Sequence, residues 1–246
     1  MKTVITHFYN EEYLLPWWLE HHKKYFDFGV LIDYQSTDSS VEICKEICPH
    51  WQVVPSMHSQ FDAAACDFEI TFYERQLQGW RIALTTTEFL VGNIDSLANN
   101  LQHKQQHFVP GIRFTKWDPL GTLDKSKPLW EQIKTGINYY DNPVAHQCRS
   151  FHNFADIEYP VGRHYWPPST EECIIFHYAH CIVGSPMIKR RLQIQHRVSD
   201  RDKNDLNGNH HYVDHTGLTF NKLYLMHQEY IAVGETDCSD LIAKVT

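Results

Sequence analysis

The run Thr3-Val4-Ile5-Thr6-His7-Phe8 is rich in β-formers, and it predicts a short strand at the start of the chain. Asn10, followed by Glu11-Glu12, offers a helix cap with acidic residues against the dipole. Leu14, Trp18, His22 and Phe26 then recur every fourth position beside Leu15 and Leu19, which predicts an amphipathic helix. Pro16 is compatible with that helix if it begins a little late, because the first turn has no use for the missing N–H. Gly29-Val30-Leu31-Ile32-Asp33 predicts a second strand, closed by the polar turn Gln35-Ser36-Thr37-Asp38 and a capping box from Ser39 to Glu42. Val41, Cys44, Ile47 and Cys48 share the face of the helix that follows. Two strand-helix units in succession predict right-handed parallel crossovers and an α/β sheet.

The pattern continues with a helix over 67–78 and a buried strand, Trp80-Arg81-Ile82-Ala83-Leu84, which runs into Thr85-Thr86-Thr87 before Glu88-Phe89-Leu90. Ligand chemistry collects at such strand ends. Phe108 to Phe114 and Cys173 to His180 predict two further strands, and Pro186 to Gln195 a basic helix. The stretch 116–172 carries Pro119, Pro128, Pro143, Pro160, Pro167 and Pro168 and reads as loop-rich. Neither an internal repeat nor a linker stands out, so one domain over 1–246 is expected.

Composition narrows the classes. With 246 residues and 42% hydrophobic content, the chain suits one sizeable core. Lys+Arg at 22 against Asp+Glu at 30 gives a formal charge of −8, which disfavours a broad nucleic-acid or anionic-membrane surface and leaves basic chemistry to a pocket. No apolar run reaches the roughly 18 residues of a spanning helix or the form of a signal peptide, so no membrane-spanning segment and a cytoplasmic location are expected. Seven cysteines without a Cys-x-x-Cys pair read as reduced, mostly buried thiols. The 17 histidines are scattered and make no metal-binding tract.

Val4-Ile5-Thr6-His7-Phe8-Tyr9-Asn10-Glu11-Glu12 followed by Leu31-Ile32-Asp33-Tyr34-Gln35-Ser36-Thr37-Asp38 resembles the opening of family 2-type glycosyltransferases of the GT-A fold. Glu12 to Leu19, Gly162-Arg163-His164 and Arg191-Leu192-Gln193-Ile194-Gln195 are similar to a bacterial and viral branch of that group, so the resemblance spans roughly residues 3–212. It implies a Rossmann-like three-layer α/β/α sandwich around a mostly parallel twisted sheet, with a nucleotide-binding half over about 1–100 and an acceptor half over about 101–246. It further implies a UDP- or GDP-linked sugar donor, a glycan acceptor and a place in polysaccharide biosynthesis. The donor would sit at the C-terminal ends of the first two strands, on Phe8, Tyr9, Asn10, Glu11, Asp33, Ser36 and Asp38. Backbone groups and a carboxylate there suit a uracil-like edge and ribose hydroxyls, although strand-end Asp and helix-capping Asp are also common without a ligand.

One segment departs from the family. Where Asp-x-Asp-Glu-Phe-like residues usually hold Mn²⁺ or Mg²⁺, this chain has Thr85-Thr86-Thr87-Glu88-Phe89. A hard cation on a diphosphate calls for carboxylates. Three outcomes follow: metal-independent transfer, a metal site rebuilt from Glu88 with a distant His or Asp95, or a chain that binds sugars without turnover. The first is favoured, with the Thr triplet as an ordinary strand edge set against it. Without a metal, the leaving diphosphate needs Arg or Lys, and Lys189, Arg190, Arg191 and Arg197 are candidates, with one of the Lys-Arg-Arg run facing inward and the rest solvated.

Arg75, beside Glu74, suits either a phosphate or a structural carboxylate. Arg163, His164 and His177 are further substrate-binding candidates by resemblance; His177 and His180 would face opposite sides of a continuous strand. Asp118, Glu171 and Glu172 are the candidate bases for an acceptor hydroxyl. Trp117, Tyr165 and Trp166 could stack on an acceptor sugar. The favoured reading is a glycosyltransferase; a nucleotide- or glycan-binding module without turnover is the alternative, and a His-based phosphotransfer or hydrolytic enzyme ranks last because no paired ligand spacing is evident.

Overall fold

A computed structural model describes residues 1–99, 105–114, 123–138, 148–165, 167–178, 190, 192–205, 225 and 235–246. The first apolar run forms β1 (Lys2–Phe8), flanked by parallel neighbours β2 (Phe28–Asp33) and β4 (Trp80–Ala83), with β3 (Gln52–Pro55) outside β2. Ile5 lies opposite both Val30 and Ala83. Helices α1 (Leu15–His22), α2 (Ser40–Ile47) and α3 (Ala63–Glu74) make the three crossovers. Strands buried on both faces need near-continuous apolar sequence, which is why β1 and β2 read as unbroken runs. Close packing sets one further demand: a Cβ on Gly29 would lie 2.2 Å from the Trp51 ring.

Taken together, the sheets are mixed and not mostly parallel. β9 (Arg149–His152) pairs antiparallel with β4, and β6 (Gln106–Val109) antiparallel with β9, giving a mixed six-stranded order β3-β2-β1-β4-β9-β6 among the described residues. A second, five-stranded sheet runs β11 (Thr236–Asp237), β8 (Thr135–Asn138), β7 (Gly111–Phe114), β10 (Cys173–His177), β5 (Glu88–Gly92), with only β7 and β10 parallel. Short helices α4 (Ile94–Leu97), α5 (Leu129–Gln132), α6 (Asp200–Asn204) and α7 (Ser239–Val245) complete the described elements. One apolar cluster joins Val4, Leu31 and Ile82 of the first sheet to Phe89, Ile112 and Phe176 of the second.

Several sequence expectations shift. α1 starts at Leu15, with Pro16 in its first turn, and Asn10 stands outside it at φ 50°. Ser39 caps α2 without a side-chain bond; Asp38 Oδ1 accepts from Ser40 N instead, at 3.0 Å. α3 begins at Ala63, because Asp62 caps it by accepting from Ala65 N at 2.9 Å, and it ends at Glu74. The expected strand 108–114 breaks at Pro110 into β6 and β7, which belong to different sheets. Proline lacks the N–H to continue a ladder. The loop-rich stretch holds α5, β8 and β9. β10 ends at His177, and His180 lies outside the described residues. Of the expected basic helix, Arg190 and Leu192 to Ile194 are helical and Gln195–Arg197 form a 3-10 turn.

Cys44, Cys48, Cys66, Cys148, Cys173 and Cys238 are free and buried. No helix among the described residues is long and apolar enough to cross a membrane.

Candidate functional site

β1 has β2 on one side and β4 on the other, so the crossovers diverge between β1 and β4. In open sheets the crevice at such a switch point, beyond the carboxyl ends of the strands, is where ligands bind. Tyr9 to Glu12, Asp33 to Asp38 and Leu84 to Glu88 reach that rim from β1, β2 and β4.

Asn10 staples the first two segments. Its Oδ1 accepts from Thr37 N at 2.7 Å and Asp38 N at 3.3 Å, while its backbone N–H donates to Ser36 Oγ at 3.0 Å. The left-handed backbone at Asn10, which Asn tolerates better than most residues, aims both groups at the β2 turn. Asp38 Oδ2 accepts from Glu12 N at 3.2 Å, so both its oxygens serve the frame. Asp33 Oδ1 accepts from Ser36 N at 2.9 Å, leaving Oδ2 outside that bond. Phe8 is buried in the core, and its carbonyl accepts from Tyr34 N at 2.9 Å.

After β4, the chain makes a tight turn into β5. Trp18 Nε1 donates to the carbonyls of Thr85 (3.1 Å) and Glu88 (3.0 Å), and Thr85 N donates to Glu88 Oε2 at 2.8 Å. The Thr85 and Thr87 hydroxyls pair at 2.9 Å. Glu88, 1% exposed, accepts on Oε1 from Arg149 Nε at 2.9 Å and Nη2 at 2.8 Å. Burial alone would push its carboxyl up, but the Arg149 charge and these bonds hold it below the usual carboxylate range. Asp95 pairs with Lys2 at the opposite end of β1. Among the described residues the donor set therefore does not fit Mn²⁺ or Mg²⁺: the carboxylate of the segment is spent on Arg149, and the hydroxyls are neutral.

Among the described residues Arg190 brings a cation to the switch point. Its Nε donates to Glu11 and its Nη2 to Thr86 Oγ1 at 3.3 Å. Burial raises the Glu11 carboxyl above its usual range, and the Arg190 charge only partly opposes this. Gln193 donates from Nε2 to the carbonyls of Tyr9 (3.2 Å) and Asn10 (3.1 Å), and Asn10 Nδ2 donates to Gln193 Oε1 at 3.0 Å. The Arg197 guanidinium lies 4.2 Å from the centre of the Tyr9 ring and donates to Tyr34 O.

Arg163, at φ 57°, turns into a buried pair with Asp67 of α3, and Gly162 N donates to Asp67 Oδ2 at 2.8 Å. Arg149 Nη1 donates to Gly162 O at 2.5 Å, tying this turn to Glu88. His164 is pulled down to about 3 by burial and then by the Arg149 charge. His177 lies opposite Glu88 at the rim end of the β5–β10 ladder. Glu171 and Glu172 are exposed and stand beyond its other end, where Glu172 O accepts from Asn93 N at 3.0 Å. Arg75 is on the surface, 3.4 Å from Asp156, the structural of its two readings. Tyr165 stacks on Phe108, with ring centroids 4.7 Å apart. Asp118, Trp117, Trp166, Lys189 and Arg191 lie outside the described residues.

Sequence reasoning missed Arg149, Asp67 and the role of Gln193. The short stretch Cys148-Arg149-Ser150-Phe151 carries no apolar run that would have marked Arg149 as buried, and only its place in β9 shows a buried charge that requires a partner.

No family model and no curated protein matches the chain. Among solved structures, it is similar to S. aureus TarS 1-349 in complex with UDP-GlcNAc, at 16% identity and a TM-score of 0.32 over 50% of this chain and 36% of that one. It is also similar to S. aureus TarS, at 14% identity and a TM-score of 0.39 over 79% of this chain and 39% of that one. With S. aureus TarS 1-349 in complex with UDP, the values are 12% and 0.38, over 87% and 72%. The chain thus spans under two-fifths of the length of the first two, and likeness at this level carries no chemistry to it.

Proposed function

We propose that the chain binds a nucleoside-diphosphate sugar at the rim between β1, β2 and β4 and transfers the sugar to a hydroxyl of a glycan acceptor. The observation that carries this reading is the switch point itself: a rigid β1–β2 rim stapled by Asn10, with Arg190 poised beside Thr86 where β1 and β4 diverge. In this reading the nucleoside meets the backbone of Tyr9 and Asn10 and the Asp33 carboxylate, and the diphosphate lies toward Arg190. Cationic groups fixed at the leaving group stabilise charge that develops as the anomeric bond breaks. The acceptor hydroxyl gives up its proton to a carboxylate. In this proposal the base is one of Asp118, Glu171 and Glu172, the last two beyond the far end of the β5–β10 ladder.

Because Glu88 is committed to Arg149, transfer is expected to proceed without a divalent cation. Hydrolysis of UDP- or GDP-sugar, followed by release of the nucleoside diphosphate, should persist in excess EDTA; loss in EDTA with rescue by Mn²⁺ would reject this. Asp33→Ala is expected to weaken UDP binding by about 1–3 kcal/mol, the cost of leaving a polar partner unmatched. Unchanged affinity in calorimetry removes Asp33 from the site. The alternative, a nucleotide- or glycan-binding module, draws support from the Thr residues that stand where metal-binding carboxylates usually do. It predicts thermal stabilisation by nucleotide and no product from any donor.

A further inference from the structure

We infer that Gln193 and Arg197 occupy the nucleobase seat of this rim, so that a nucleoside diphosphate binds by displacing the strap that carries them. The inference rests on the nucleotide reading above and adds a regulated step to it.

A terminal carboxamide presents a carbonyl acceptor and an N–H donor on one carbon. The C4=O/N3–H edge of uracil and the C6=O/N1–H edge of guanine present the same pair. Gln193 uses both halves at the rim: its Nε2 donates to Tyr9 O and Asn10 O, and its Oε1 accepts from Asn10 Nδ2. These are the groups a base edge would need from β1. The flat Arg197 guanidinium fills the other requirement, the face of an aromatic ring, 4.2 Å from the centre of Tyr9. Its Nη2 also donates to Gln35 Oε1 at 3.3 Å. At the phosphate end Arg190 is held by Glu11 and Thr86. Base edge and base face are thus each matched by a side chain from one short segment, while Arg190 of the same segment stands ready to meet the phosphate end.

The strap is anchored at the Arg197 carbonyl and beyond it. Phe61 N donates to Arg197 O and Ser199 N to Phe61 O, both at 2.7 Å, while Ser199 Oγ donates to Asp62 Oδ2 at 2.8 Å. Ala63 N donates to Asp202 Oδ2 at 2.7 Å. Gln193 can therefore leave the rim while the chain from Val198 onward stays fixed to the start of α3. The Gln193 contacts are neutral hydrogen bonds at a partly exposed edge, each of small net worth in water, and a nucleotide can replace them one for one. Binding then carries a cost equal to holding the strap open, which lowers apparent affinity by the fraction of molecules with a vacant seat.

The test is calorimetric titration of UDP and of GDP into the wild type, Gln193→Ala and Gln193→Glu. Glu keeps the size of the side chain and sets a carboxylate against two carbonyls, so it opens the seat even if Ala perturbs folding. Both variants are expected to bind the preferred nucleotide about tenfold more tightly than the wild type, the scale of one to two net hydrogen bonds. In the wild type, hydrogen exchange of amides 192–197 is expected to speed up when UDP or GDP binds. Equal or weaker affinity in both variants, beside measurable wild-type binding, overturns the inference and leaves the nucleotide reading standing. Slower exchange on binding makes the strap a cover over the ligand and likewise overturns it. Absence of binding in all three proteins overturns the inference together with the nucleotide reading.

Discussion

Acidification from pH 7 to pH 4 is expected to remove about 3 kcal/mol of folding stability through His21 alone. His21 is buried in α1, and its Nε2 donates to Leu90 O at 2.7 Å across the two sheets' shared core. Burial pushes its pKa down to about 4, against 6.5 for an ordinary histidine. Between those values the unfolded chain binds a proton that the folded chain refuses, so stability falls as pH drops through that window and levels off below it. At roughly 1.4 kcal/mol per pH unit the displacement gives the figure above. His22 adds to it with the same sign. Its Nδ1 donates to Trp18 O at 2.9 Å and its Nε2 accepts from Leu90 N at 3.3 Å, a neutral ring with both nitrogens used. Burial and the neighbouring His21 hold its pKa well below 6.5. Glu11 works in the opposite direction just above pH 4.5, because its raised carboxyl takes a proton more readily when folded. Urea unfolding followed by tryptophan fluorescence at pH 7, 5.5 and 4 measures the slope. His21→Gln keeps a donor for Leu90 O without titrating and should flatten it; an unaltered slope would assign the acid sensitivity elsewhere.

The elements that were legible in sequence are those whose burial is uniform. β1 and β2 lie between layers, so their centres are buried on both faces, as at Val4, Ile5 and Val30 to Ile32, and no phase has to be found. α3 was displaced because its faces are inverted. Phe68 and Phe72 are 61% and 42% exposed, whereas Asp67, Glu69 and Glu74 are buried. Those acids are satisfied by Arg163, by His7 at 2.9 Å and by Tyr159 at 2.6 Å. These three partners are 62 to 96 residues away in sequence, and even the nearer donors to Glu69, Ser56 Oγ and Met57 N, lie outside α3, so no helix-length window contains the reason for the pattern. The same holds at the candidate site. Asn10, Asp33 and Asp38 could be placed at a rim from the strand-turn pattern, but their bonds to each other's backbone needed the fold. Arg190 was visible within a basic run, yet only the fold sets it against Glu11. β9 was hidden by the prolines on either side of it, and with it Arg149.

Removing Arg149 is expected to destabilise the protein by about 3–5 kcal/mol at pH 7, because Arg149→Met strands a buried carboxylate without its counter-charge. Among the described residues both Glu88 oxygens are taken: Oε1 faces two guanidinium donors, Oε2 accepts from Thr85 N, and the Trp18 indole closes the same turn. Once the cation is gone, burial dominates and the Glu88 pKa rises above its unfolded value. A raised carboxyl is a liability that fades as pH falls through it, so the stability gap between Arg149→Met and wild type should narrow on acidification, the histidine contribution being common to both. Glu88→Leu combined with Arg149→Met removes both charges and should recover most of the loss, since a buried pair is commonly worth little more than an apolar pair of the same shape. A metal ligand would behave otherwise. Were Glu88 available to a cation on the donor, freeing it from Arg149 would create Mn²⁺-dependent stabilisation in a thermal melt of the single variant with UDP present. A melt indifferent to Mn²⁺ fits an anchor whose task is to fix Thr85 to Thr87 at the end of β4, facing Arg190, so that the turn over the β1–β4 divide keeps one shape whether the seat beside it is filled or empty.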